Sequence, residues 1–219
     1  MILGASKKTV FAILALLVLP ALWGCASPPE KTTAPPAKTV RFPPPKAEEP
    51  ETPYSKVNKT LPLSAVRSPE IYVYKSERKL LVVQDDTLVR EYPVGLGGAP
   101  RGDKSYQGDG RTPEGKFSVC MRNHSSRFYK SLGLDYPTRR HAEEALFSGD
   151  ISPEEYRVIV SALRRNELPP WSTSMGGAIF IHGGGSEGDW TEGCVAVNNT
   201  HMDELFRIVP VGTPVYVMP

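Results

Sequence analysis

Cysteine and histidine are scarce in this chain, three of the first and four of the second among 219 residues. Cys25, Cys120 and Cys194 allow at most one disulfide, which excludes a disulfide-stapled scaffold. Neither a paired-cysteine motif nor a paired-histidine helix is present. A zinc site, which asks for three or four ligands, would have to gather His182 and Cys194 with the distant His124, His141 and His201. No metal and no cofactor is therefore expected. Charge of one sign is also lacking. The formal net charge is +2, Lys7 and Lys8 supply it, and without residues 1–24 the chain holds 24 basic and 24 acidic residues. Phosphate recognition needs a concentration of Lys and Arg, so no nucleic-acid partner is expected. Residues 95–110 contain six glycines but neither the spacing of a phosphate loop nor its closing lysine with serine or threonine, which argues against a nucleotide site.

Long apolar runs are missing apart from residues 10–21, and that run is too short for a comfortable membrane span. It follows Lys7 and Lys8, as the apolar region of a secretory signal follows its positive start. Leu22-Trp23-Gly24-Cys25 then resembles a bacterial lipobox, with small Gly24 before the cysteine and Leu22 three positions ahead. The resemblance implies a signal peptide over residues 1–24 and lipidation of Cys25. Ala26 stands where an aspartate would favour the inner membrane, so the expected location is periplasmic, lipid-anchored to the outer membrane. Residues 25–69 read as the acylated cysteine and a tether, because residues 26–69 hold 11 of the chain's 22 prolines. Proline has no amide donor and a fixed φ, which favours extended chain over packed structure.

Residues 70–219 are expected to form one domain. Residues 71–74, 79–84 and 87–94 are rich in β-branched, aromatic and apolar side chains and read as strands, with Asp85-Asp86 turning the last two into a hairpin. Residues 117–121 read as a strand with Cys120 inside it as a small hydrophobe. Ser152-Pro153-Glu154-Glu155 opens a helix, with a cap, a proline at the first position and acidic residues in the first turn. A second helix is expected over residues 199–209, with His201 on its surface, then a strand over 213–218.

The informative stretch is residues 178–199. A buried strand, Ala178-Ile179-Phe180-Ile181, runs into His182-Gly183-Gly184-Gly185, and Trp190-Thr191-Glu192-Gly193-Cys194 leads into apolar Val195-Ala196-Val197. A histidine at a strand end can take a proton from a thiol that a turn brings near, and a glycine lets backbone amides face a developing oxyanion. The spacing alone leaves a structural cysteine or a metal ligand open. Asp189 and Glu192 read as surface turn residues, without the partner set that paired-carboxylate glycoside hydrolysis requires.

These two runs together resemble the catalytic signature of the L,D-transpeptidase catalytic domain family, peptidoglycan-crosslinking cysteine enzymes. The likeness extends upstream through the hairpin, the glycine loop and Arg111-Thr112-Pro113-Glu114-Gly115-Lys116-Phe117. It implies a mainly β fold, a β-sandwich or compact barrel with one or two short helices. It implies Cys194 as nucleophile and His182 as its base, with amides near Gly193 and Cys194 as the oxyanion hole and Thr191 shaping it or orienting the histidine. Gly183 and Trp190 become substrate-binding candidates. The common family form has a second histidine where this chain has Glu192, and often an arginine where it has Ala196 or Val197; a subset of relatives shares the tryptophan-containing form. An arginine for a substrate carboxylate must then come from elsewhere, with Arg111, Arg139 and Arg140 as candidates.

The implied reaction is attack of Cys194 on a peptidoglycan stem tetrapeptide, loss of D-alanine, and transfer of the thioester to a neighbouring stem peptide as a 3-3 crosslink, or to a wall-linked lipoprotein. Resolution by water would make a carboxypeptidase or a link-cleaving hydrolase. A wall-binding lipoprotein without turnover is the reading from another class. A free Cys194 is required for catalysis.

Overall fold

The structure is a computed structural model, and it describes residues 52–219. The expected signal peptide, Cys25 and the tether up to residue 51 lie outside the described residues. The described chain runs through β1 (Lys56–Val57), a short 3-10 turn (Leu63–Ala65), β2 (Glu70–Tyr74), β3 (Lys79–Gln84), β4 (Thr87–Pro93), β5 (Gly115–Ser126), β6 (Tyr129–Leu134), α1 (Arg139–Ser148), α2 (Pro153–Arg164), β7 (Phe180–His182), β8 (Val195–Ala196), α3 (Asn199–Ile208) and β9 (Pro214–Met218). It is the sheet-dominated fold expected from the sequence.

The strands follow the order β1-β4-β3-β2-β9-β5-β6-β7-β8. The β3–β4 hairpin turns on Asp85 and Asp86, whose φ values of 46° and 59° are the left-handed pair that a tight two-residue hairpin requires. β5 is the long bent member. Its first residues pair with β9, and after a register shift between Val119 and Met121 the rest pairs with β6. Past β4, Gly95 exchanges backbone hydrogen bonds of 2.9 and 2.8 Å with Ala196 of β8, so the last strand in the order meets the chain leaving β4. The main core draws Ile71, Leu80 and Val82 from one half and Leu132, Ile181 and Val195 from the other, and a second cluster of Leu81, Val83 and Leu88 lies on the opposite face of β3 and β4.

Contacts to the folded domain begin before residue 69. β1 pairs in parallel with β4, Ser55 N donates to Asp86 Oδ1 at 2.7 Å, and Val66 belongs to the core, so residues 55–66 lie on the domain. Proline content marked them as extended; Lys56–Val57 is extended and adds to a sheet edge, whereas Leu63–Ala65 forms the 3-10 turn. α2 forms as expected, with Ser152 and Glu155 making a reciprocal capping box. α1 was not among the expected elements. Its buried stripe consists of His141, Ala142 and Ala145, too weak an apolar signal to read as a period. α3 buries Met202, Leu205, Phe206 and Ile208. His201, expected on the surface, instead stacks on Tyr92 with ring centroids 4.7 Å apart.

Candidate active site

β7 and β8 place the two reactive side chains. They pair in parallel with Ile181 opposite Val195 and His182 opposite Ala196. Paired residues point to one face and alternate residues share it, so His182 and Cys194, the residue entering β8, face the same side. Both line a cavity of about 460 Å³ with Lys104, Arg127, Phe128 and Trp190. Cys120 and Cys194 are both free thiols.

His182 is buried and oriented. Its Nδ1 lies 2.6 Å from the Gly183 carbonyl, which fixes Nδ1 as the protonated nitrogen and leaves the Nε2 lone pair to act. Phe128 stacks on the imidazole at 4.5 Å and Trp190 meets it edge-on at 5.5 Å. Burial pushes the His182 pKa down; the Gly183 carbonyl opposes this, and Arg127 adds to it. Burial likewise pushes the Cys194 thiol up, against the Phe180 amide and the Lys104 charge. The cavity therefore holds a neutral thiol, which donates to the Ala178 carbonyl at 3.6 Å, and a neutral imidazole, the protonation states general-base activation needs.

Thr191 ties the turn before the thiol. Its hydroxyl accepts from Gly193 N at 3.1 Å and donates to the Cys194 carbonyl at 2.8 Å. The Gly193 amide is engaged in this contact. The Cys194 amide carries no hydrogen bond among the described residues and is the donor left to face an oxyanion. Gly193 also has a steric role. At φ 132° a Cβ there would sit 2.6 Å from the Arg111 carbonyl oxygen. Gly193→Ala is expected to cost about 1–3 kcal/mol of stability through backbone strain, with thiol displacement, read as a lowered thermal midpoint and slower alkylation of Cys194.

The Arg111–Phe117 motif forms the floor beneath this turn. Thr112 Oγ1 accepts from Gly97 N at 3.0 Å and reaches the Cys194 carbonyl at 3.5 Å. Lys75, 2% exposed, donates to the Gly102 and Thr112 carbonyls and to Glu114 Oε1 at 2.6, 2.9 and 2.7 Å. Asp189 is no idle turn residue: it accepts from Arg78 Nη2 at 2.7 Å and from Leu96 N at 3.1 Å, clamping the loop between His182 and Cys194 to the chain after β4.

The three candidate arginines are not brought to the cavity. Arg111 reaches the Asp103 carbonyl at 3.3 Å, Arg139 pairs with Glu143 at 2.7 Å, and Arg140 bonds Asp103, Glu144 and the Glu114 carbonyl at 2.8, 2.7 and 2.6 Å. Gly183 packs against Asn199 and serves through its carbonyl rather than as a wall of the cavity. Trp190 does line it, its indole donating to the Gly185 carbonyl at 3.3 Å. The cations that do line it, Lys104 and Arg127, were not singled out from the sequence. Among the described residues no cluster of three or more His, Cys, Asp or Glu could hold a metal ion.

With the geometry in place, the comparison with known families is decisive. The profile of YkuD, the L,D-transpeptidase catalytic domain, matches residues 68–217. The chain belongs to this family. The family is one of cysteine-nucleophile acyltransferases. No curated protein matches. Solved structures that resemble it include an L,D-transpeptidase from Xylanimonas cellulosilytica, at 19% identity and TM-score 0.41, covering 70% of this chain and 61% of that one. A helical cell shape determining protein from Campylobacter jejuni, in a mutant form, shares 21% identity at TM-score 0.46, covering 70% and 47%. An L,D-transpeptidase from Mycobacterium smegmatis shares 11% at TM-score 0.41, covering 69% and 59%. The chain thus spans between about half and three fifths of these proteins.

Proposed function

We propose that the protein is an L,D-transpeptidase that acts on peptidoglycan stem tetrapeptides through a thioester on Cys194. The observation that carries this reading is one cavity lined by a free thiol and by a neutral imidazole whose Nδ1 is pinned on Gly183. As Cys194 Sγ attacks the carbonyl before the terminal D-alanine, His182 Nε2 takes the thiol proton. The Cys194 amide stabilises the oxyanion. The C–N bond then breaks, and His182 returns the proton to the departing amine, releasing D-alanine. An amine from a neighbouring stem peptide attacks the thioester to form a 3-3 crosslink, or a lysine of a wall-linked lipoprotein takes the same acyl group. Water as acceptor gives a carboxypeptidase.

Lipid anchoring through Cys25 in the outer membrane, after removal of residues 1–24, belongs to the same proposal and rests on the lipobox resemblance. The chain between that anchor and residue 52 would carry the domain toward the wall.

The test is mass spectrometry of defined tetrapeptide muropeptides incubated with the reduced full chain and with Cys194→Ala. Loss of D-alanine together with a dimer mass, both absent with the variant, is the expected result. Tripeptide alone would reassign the enzyme as a hydrolase, and no change would favour a binding protein. The acid limb of kcat/KM is expected to have its midpoint below the ordinary imidazole value of 6.5, because protonation of a base with a depressed pKa abolishes activity only at lower pH. A midpoint above 6.5 in a pH–rate profile would contradict the neutral-pair assignment.

A further inference from the structure

Two cations line the cavity, and their situations differ. Lys104 is spent: its ammonium donates to Asp109 Oδ1 at 2.7 Å and to the Tyr106 carbonyl at 3.1 Å, and the Lys104 and Asp109 side chains are only 3% and 4% exposed. Arg127 sits in the turn between β5 and β6, exposed, and takes part in no ion pair among the described residues. Its guanidinium lies over the Phe128 ring, 4.6 Å from the centroid. The His182 imidazole stacks on that same ring at 4.5 Å and nearly parallel, at 20°. The imidazole and the guanidinium thus both pack against Phe128. This puts a cation without an ion pair among the described residues in the same cavity as His182.

We propose that Arg127 binds the terminal α-carboxylate of the amino acid that leaves when Cys194 attacks, so that the cavity selects stem peptides with a free carboxylate directly after the attacked carbonyl. This rests on the thioester chemistry above. In that step the Sγ–C bond forms, the C–N bond breaks, and the thiol proton travels through His182 Nε2 to the leaving nitrogen. The leaving nitrogen must therefore face His182. In an α-amino acid the carboxylate is separated from that nitrogen by a single carbon. One amino acid held at both ends by hydrogen bonds of about 3 Å reaches from the imidazole to a group packed on the same ring. That group is Arg127, and a guanidinium offers two parallel donors that match a carboxylate. Other carboxylates of a stem peptide lie on the acyl side of the attacked carbonyl, away from His182.

The proposal assigns to Arg127 the task that the sequence alone gave to Arg111, Arg139 or Arg140. It also makes the enzyme act at chain ends. A stem continued by a further residue, or capped as an amide, has no carboxylate at this place and loses the charge-assisted contact.

Binding and turnover are measured separately. In the full chain carrying Cys194→Ala, which blocks chemistry, calorimetry compares the tetrapeptide ending in D-alanine with the same peptide ending in D-alaninamide. The acid is expected to bind about 10- to 100-fold more tightly. Adding Arg127→Gln is expected to erase that preference by weakening the acid and leaving the amide unchanged, and Arg127→Lys to restore part of it. A preference that survives Arg127→Gln, equal weakening of both peptides, or no measurable binding of the acid would each overturn the proposal. Release of D-alanine by the unsubstituted chain tests the underlying chemistry. If that release fails while the Arg127-dependent preference holds, the thioester reading falls and the carboxylate site stands.

Discussion

Replacing His182 with glutamine is expected to lower kcat/KM for the stem tetrapeptide by about 10²–10⁴-fold, the range for loss of a positioned general base. The size of the effect follows from the resting state. Burial holds the Cys194 thiol protonated, so little thiolate exists at neutral pH without help. The glutamine keeps a polar group beside Phe128 and Trp190 but has no lone pair of comparable basicity at the place of Nε2. The variant is expected to remain folded, with Cys194 still alkylated by iodoacetamide at high pH, where hydroxide replaces the base. Loss of less than about 10-fold would mean that proton transfer from the thiol does not depend on this imidazole.

The largest expected effect on stability comes from a residue outside the cavity. Lys75→Met should destabilise the fold by about 3–5 kcal/mol, because removing one member of a buried ion pair leaves its partners unpaired. Here the loss is threefold: the half-buried Glu114 carboxylate loses its cation, and the Gly102 and Thr112 carbonyls lose their donor. The methylene stem still fills its space, so a cavity contributes little. Urea denaturation of the full chain and the variant checks this, and a difference under about 1 kcal/mol would show that water satisfies these groups in place of the ammonium. Activity should fall with stability. Lys75 ties the glycine loop, which carries Lys104, to the motif on which the Cys194 turn rests.

The parts of this protein legible in its sequence are those with a local physical signature. Asp85-Asp86 marked a hairpin because consecutive acidic residues tolerate left-handed backbone. Ser152, Pro153 and Glu155 marked the start of α2 because each satisfies a requirement of a helix N-terminus. The spacing of His182 and Cys194 left a structural cysteine or a metal ligand open, and their pairing was an expectation of the family resemblance; in the structure both line one cavity. The elements that escaped depend on distant partners. β1 is two residues long and exists through pairing with β4. α1 has no acidic first turn, no basic last turn and no side-chain cap.

The arginines show the same division most sharply. Arg111, Arg139 and Arg140 stand near a recognisable motif or in a basic cluster, and the fold spends all three on hydrogen bonds outside the cavity. Arg127 has no such context. A Ser-Arg-Phe turn reads as ordinary surface until the pairing of β6 with β7 brings its Phe128 onto His182 and Arg127 to the same cavity. Lys75 is the converse, since a lysine in a turn reads as solvated and here is buried with every donor occupied.

The central claim is that the stem peptide becomes covalently attached to Cys194. The most direct test mixes the full chain with tetrapeptide, quenches with acid within the first turnovers, and measures the intact mass and its proteolytic fragments. A mass gain equal to the tripeptidyl acyl group, carried by the fragment containing Cys194 and removed by hydroxylamine, is the predicted result. Release of D-alanine that continues undiminished in Cys194→Ala, with no adduct on the unsubstituted chain, would contradict it.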